Sequence, residues 1–128
     1  MKRVQFPAMR AQLIEALRSL SDVEHQRRVW IERSYPSPSY FEDFTLVVNV
    51  LLDDLGFANG ACSRVGAVLL DTREAQLVDG VTAALRRVLS RLPDRATDDV
   101  ALSDASWPDV VARATEALRA FESDAASG

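Results

Sequence analysis

The sequence predicts a mainly α protein: a single domain of about five helices packed around a buried central helix at about residues 39–55. Three observations carry that prediction. Apolar residues recur at three- and four-residue spacing in five separate segments. Each segment opens on a proline or on a Ser/Asp-x-x-Glu capping signature. The one short apolar run that reads as a strand, Val65 to Leu70, has no second strand to pair with, so it is expected to be loop. A length of 128 residues suits one domain with its own core, and 48% hydrophobic against 27% charged residues excludes a disordered or membrane-embedded chain.

Taken in order, Pro7 suits the first turn of a helix, where its missing N–H goes unnoticed, and Met9, Leu13, Ala16, Leu17 and Leu20 follow at helical spacing. Ser21-Asp-Val-Glu24 is a capping box, predicting a second helix that carries Val23, Val29 and Trp30 inward to about Arg33. Pro36 and Pro38 then force the chain out of helix, because each pushes the residue before it toward an extended conformation. Ser39-Tyr-Phe-Glu42 reads as a second capping box opening the central helix. Phe41, Phe44, Val48, Leu51, Leu52 and Leu55 form its seam, and Gly56 stops it. Asp71-Thr-Arg-Glu74 opens a long helix that Pro93 ends. Trp107-Pro108 starts the last one, and residues 123–128 are expected to fray beyond a domain of residues 1–122.

Charge and composition narrow the function. A net charge of −4 repels phosphate backbones, which makes nucleic acid a poor partner. Residues 1–28 are locally basic (Lys2, Arg3, Arg10, Arg18, Arg27 and Arg28 against Glu15, Asp22 and Glu24). The 94–109 connector is acidic, with Asp94, Asp98, Asp99, Asp104 and Asp109 against Arg95. Such a stretch is a solvated loop or a docking surface for a basic partner. Cys62 is the only cysteine, so no intramolecular disulfide forms, and it reads as a small buried filler. With no apolar leader and no membrane-length apolar run, a cytoplasmic protein is expected. Arginine in place of nearly all lysine, with abundant alanine, points to a GC-rich bacterial genome.

Chemistry is sparse. On a regular helix Glu42, Asn49 and Asp53 fall on one stripe, but Glu42 and Asp53 lie about 16 Å apart along the axis and cannot share a metal or a water. Asp53 and Asp54, at the unfavourable C-terminal end of the helix dipole, call for arginine partners, with Arg27, Arg28, Arg33 and Arg64 as candidates. Glu42, Asp53, Asp54, Arg27 and Arg28 are therefore a candidate polar cluster, read first as structural. His25, the only histidine, reads as a surface residue, and a multi-histidine metal site is excluded. No nucleophile elbow, Walker lysine or Rossmann glycine run occurs, so no enzyme, metal or cofactor is expected. Tyr35 and Tyr40, on a loop stiffened by Pro36 and Pro38, are candidate anchors for a partner protein, with Asp98 and Asp99 as a second candidate surface.

Val29-Trp30-Ile-Glu-Arg-Ser-Tyr35-Pro36, Tyr40-Phe-Glu-Asp43, Val50-Leu-Leu-Asp53-Asp54, Val65-Gly66 and Trp107-Pro108 together resemble a group of small actinobacterial all-helical proteins of unknown function, loosely immunity-protein-like. The resemblance implies a stand-alone helical domain that binds another protein, such as a toxin, and transfers no catalytic residue. The sequence reading is thus a non-enzymatic protein-binding module of the inhibitor or immunity type. The alternative is a small-molecule- or metal-binding enzyme or sensor using Glu42, Asp53, Asp54 and His25. Association of two copies through apolar helix faces is a third possibility.

Overall fold

Three long helices make the frame. In the computed structural model, which describes residues 3–127, α1 spans Pro7–Ser21, α4 spans Thr72–Arg91 and α6 spans Trp107–Ser127. Lys2 of the basic N-terminal stretch and Gly128 of the predicted tail lie outside the described residues. Between α1 and α4 come α2 (Val23–His25), widening into a π-helical stretch over Gln26–Ile31, and α3 (Phe44–Asn49), widening likewise over Val50–Asp54. The short α5, Asp98–Leu102, sits inside the acidic connector. Six α-helices and no strand occur among the described residues, so the fold is mainly α.

Helix α6 packs along both α1 and α4. Its buried face is Val110, Ala114, Ala117 and Phe121, where the two alanines let neighbouring backbones approach. Leu13, Leu17 and Leu20 of α1 and Val78, Val81, Leu85 and Val88 of α4 complete that core, and Phe44, Val47, Val48, Leu51 and Leu55 close it from α3. Helix α6 continues through residues 123–127. The 57–70 segment is loop with two 3₁₀ turns, and its only ladder contact is a single bridge between Val65 and Leu69. Backbone bonds from Gln5 N–H to Gly66 O and from Phe6 N–H to Ala67 O, both 2.8 Å, hold it against the N-terminus.

Two predicted caps shift. The central helix begins at Phe44 and not at Ser39, because Asp43 accepts the Leu46 N–H at 2.8 Å and so satisfies a first-turn donor itself. Glu42, needed to complete the Ser39 box, turns elsewhere, and the Ser39 hydroxyl meets Ser37. Glu42 is consequently off the helix, and the predicted stripe with Asn49 and Asp53 does not exist. Phe41, expected in the seam, is 52% exposed for the same reason. In the second helix Asp22, one residue past the predicted Ser21, caps the N–H of His25 at 3.0 Å, while Ser21 bonds back to Arg18 O. Cys62 is exposed and is not core filler.

The π stretches bond five residues apart, Glu32 N–H to Arg27 O at 2.9 Å and Leu55 N–H to Val50 O at 2.8 Å. In the first of them Gln26, Val29 and Trp30 are all buried. Arg33 ends it in the left-handed region, at φ 56°, a conformation costing a side-chain-bearing residue about 1–2 kcal/mol. Arg33→Gly is therefore expected to raise stability by about 0.5–1 kcal/mol after the extra unfolded-state freedom of glycine is subtracted. An unchanged or lower midpoint in urea would contradict it.

Candidate functional site

Residues 32–43 leave the second helix and return to α3, and the return brings Glu42 against three aromatic donors. His25 Nε2 lies 2.7 Å and Trp30 Nε1 2.9 Å from Glu42 Oε1, and the Tyr40 hydroxyl donates to Oε2 at 2.9 Å. The Ser19 hydroxyl, at the end of α1, adds a further bond to the carboxylate and stands 3.5 Å from His25 Nε2. Burial opposes ionisation of Glu42, but these four partners outweigh it and hold the carboxyl below its usual range. Burial, followed by the bond to Glu42 and the charges of Glu42 and Glu15, pushes the Tyr40 phenol up to about 12.

Glu42 is thus a hub joining α1, the second helix and the loop. Both oxygens are occupied by donors, so the carboxylate positions side chains rather than offering a free lone pair to a reacting proton. Glu42→Gln is expected to bring Tyr40 back toward its ordinary 10.0, since the charge disappears and the bond weakens. Absorbance titration of the tyrosines checks this, and no movement of the upper transition would refute the link.

Tyr35 packs on Tyr40 at 6.1 Å and on Phe41 at 5.9 Å between ring centroids, forming an aromatic cluster outside the hub. Phe41 faces outward from it, and Ile31 is also exposed. A cleft of about 330 Å³ runs beside the cluster, lined by His25, Arg28, Tyr35 and Tyr40 among others. His25 is therefore half-buried in the hub and is not a surface residue.

The other predicted residues are dispersed. Arg27 pairs with Glu24 and Glu32, Arg28 is exposed in the cleft, and Asp53 and Asp54 are exposed without an ion pair among the described residues. The predicted Asp53/Asp54 pairing with arginine is absent there, and the five cluster candidates do not converge. Asp98 accepts the Phe44 N–H at 3.2 Å, tying the connector to the start of α3, and burial pushes its carboxyl up. Asp99 is exposed and accepts the Thr97 hydroxyl. Asp104 pairs with Arg91, whose hydrogen bond holds its carboxyl at about 2, and Asp109 pairs with Arg87 and Arg113. The connector's negative charge is partly neutralised within the molecule.

Sequence reasoning missed the His25–Glu42 contact because one histidine and one glutamate seventeen residues apart carry no spacing signal. The paired prolines, which reverse the chain between them, were the available clue. No group of three or more His, Cys, Asp or Glu side chains able to hold a metal occurs among the described residues. No described helix is long and apolar enough to cross a membrane.

Fold and site together define a small all-helical domain whose exposed aromatic loop is braced by a half-buried carboxylate. Sequence comparison places it further: the chain belongs to the DUF7945 family, a domain of unknown function, matched over residues 4–127. Comparison with curated proteins and with solved structures returns no match.

Proposed function

We propose that this chain is a non-enzymatic protein-binding module, of the inhibitor or immunity type, acting in a bacterial cytoplasm through its Tyr35–Phe41 loop. The observation that carries the reading is Phe41, a large aromatic left 52% exposed on a loop that Tyr35, Tyr40 and the Glu42 hub brace. A braced aromatic loses little freedom on binding, which is what makes such residues dominate interface energies. Asp99, exposed on the connector, adds negative charge suited to a basic partner. The alternative, a small-molecule-binding enzyme or sensor, draws on the His25–Glu42 contact beside the 330 Å³ cleft. It requires Glu42 to give up donors it already holds.

The test is capture of a stoichiometric partner from native cytoplasm with the full chain, followed by titration of variants. Phe41→Ala and Tyr35→Ala are each expected to weaken binding by about 2 kcal/mol or more, with an unchanged unfolding midpoint for Phe41→Ala. Failure to recover a partner, or binding untouched by both substitutions, would overturn the proposal.

A further inference from the structure

A second groove, of about 320 Å³ and lined in part by Glu42, lies between α1 and α3. Its walls are apolar, with Ala11 and Ala16 from α1 and Val47 and Val50 from α3, and its charged lining residues are Glu15 and Glu42. Among the described residues no arginine or lysine lines it. Glu15 is 70% exposed and bonded to Arg18 at 2.6 Å, an exposed pair that another cation can displace at little cost.

The dimensions restrict the occupant. Ala11 and Ala16 are five residues apart, about 7.5 Å along the helix axis, comparable with one extended long side chain. The volume lies near the lower end of ligand clefts, about 300–1,000 Å³, which suits a single side chain. An occupant that follows the apolar walls and also meets the two carboxylates combines an aliphatic shaft with a cationic head.

We infer that this groove receives one arginine side chain of the partner protein, its shaft along Ala11, Ala16, Val47 and Val50 and its guanidinium between Glu15 and Glu42. Arginine fits better than lysine because its planar head is weakly hydrated and can engage the open Glu15 carboxylate with two N–H groups. Both oxygens of Glu42 already accept bonds, so Glu42 contributes charge rather than a new direct pair. The source is a protein because the groove adjoins the binding loop through the Tyr40–Glu42 bond. The inference rests on the protein-binding reading above and adds the chemistry of the partner.

The experiment titrates the full chain, with labelled methyl groups, with hexylguanidinium and separately with hexylurea, its neutral counterpart. Hexylguanidinium is expected to shift the Ala11, Ala16, Val47 and Val50 methyls to saturation, with hexylurea at least about tenfold weaker. Glu15→Gln, at an exposed position that does not endanger folding, is expected to weaken hexylguanidinium by about threefold or more. Silent groove methyls, equal binding of the two probes, or an unaffected Glu15→Gln variant would each overturn the inference. The two readings fail separately. Partner binding lost in Phe41→Ala with silent groove methyls ends only this inference, whereas saturable groove methyls with no captured partner end the protein-binding reading and with it the assignment of the arginine to a protein.

Discussion

Arg10→Met is expected to destabilise the protein by about 3–5 kcal/mol, the usual loss when one member of a buried ion pair is removed. Arg10 on α1 meets Glu74 on α4 bidentately, at 2.7 and 2.8 Å, with side chains only 12% and 1% exposed. The guanidinium also donates to Val68 O at 3.1 Å and lies 4.7 Å from the centre of the Phe121 ring. Three helices and the 57–70 loop therefore share one cation. Methionine keeps much of the shaft's packing but strands a buried carboxylate. Replacing Glu74 by methionine as well should recover part of the loss, leaving the Leu70 N–H, which now donates to Glu74 at 2.8 Å, without its acceptor.

The same pair predicts a pH dependence. Burial raises the Glu74 carboxyl, but the bonds from Arg10, Asp124 and the Leu70 N–H win, so it stands below its ordinary 4.5 in the folded protein. The stability it contributes is therefore complete above the unfolded value and is lost as pH falls through the folded one. Asp124 opposes this: its bond to Glu74 raises its carboxyl, so its contribution is present at low pH and lost as pH rises. Without Arg10 the Glu74 carboxyl should rise, and the stability gap between wild type and Arg10→Met should narrow as pH falls from the variant's raised folded value toward the wild type's lowered one. Urea denaturation between about pH 3 and 7 measures the gap. A gap that stays constant would mean that Glu74 is not ionised against Arg10.

Trp107→Ala is expected to cost about 3–5 kcal/mol. Trp107, Trp30 and Phe44 form a triangle of edge-on rings with centroids 5.7–6.2 Å apart, joining α6, the second helix and α3. Trp107 is 4% exposed, so its removal opens a cavity where three elements meet. It also donates from Nε1 to Gln26 Oε1 at 3.0 Å, and Gln26 Nε2 in turn donates to the Ser19 and Leu20 carbonyls at 2.9 Å, closing the end of α1. Trp107→Phe keeps a ring but breaks that chain, and should lose about 1–2 kcal/mol from the stranded Gln26 oxygen together with the smaller ring. Near-ultraviolet circular dichroism should lose part of its tryptophan signature in the alanine variant, Trp30 remaining against Phe44. A loss under about 1 kcal/mol by urea unfolding would show that the triangle is not a joint of the core.

Much of this architecture was legible in local pattern. Pro7 and Trp107-Pro108 mark the starts of α1 and α6 because a first-turn proline forfeits no bond, and Asp71 caps Glu74 N–H at 2.9 Å as its spacing predicted. The errors share a cause. Ser39 and Ser21 each had a capping signature, yet an aspartate close by, Asp43 or Asp22, took the position. Glu42 turned from its expected backbone donor to the side chains of His25, Trp30 and Tyr40. At the site, Tyr35 and Tyr40 stood out in the sequence by composition, whereas Phe41 was assigned to the core because its helical phase was counted from the wrong cap.

The sequence by itself determined where the long helices α1, α4 and α6 form and which of their faces avoid water, since both follow from residues three or four positions apart. Only the tertiary structure decided which polar groups would be buried together. Glu42 meets His25 and Trp30, Gln26 meets Trp107 and Arg10 meets Glu74, across separations of 12 to 81 residues. A buried charge or amide must find partners wherever packing brings donors and acceptors within reach, and no local spacing encodes that encounter.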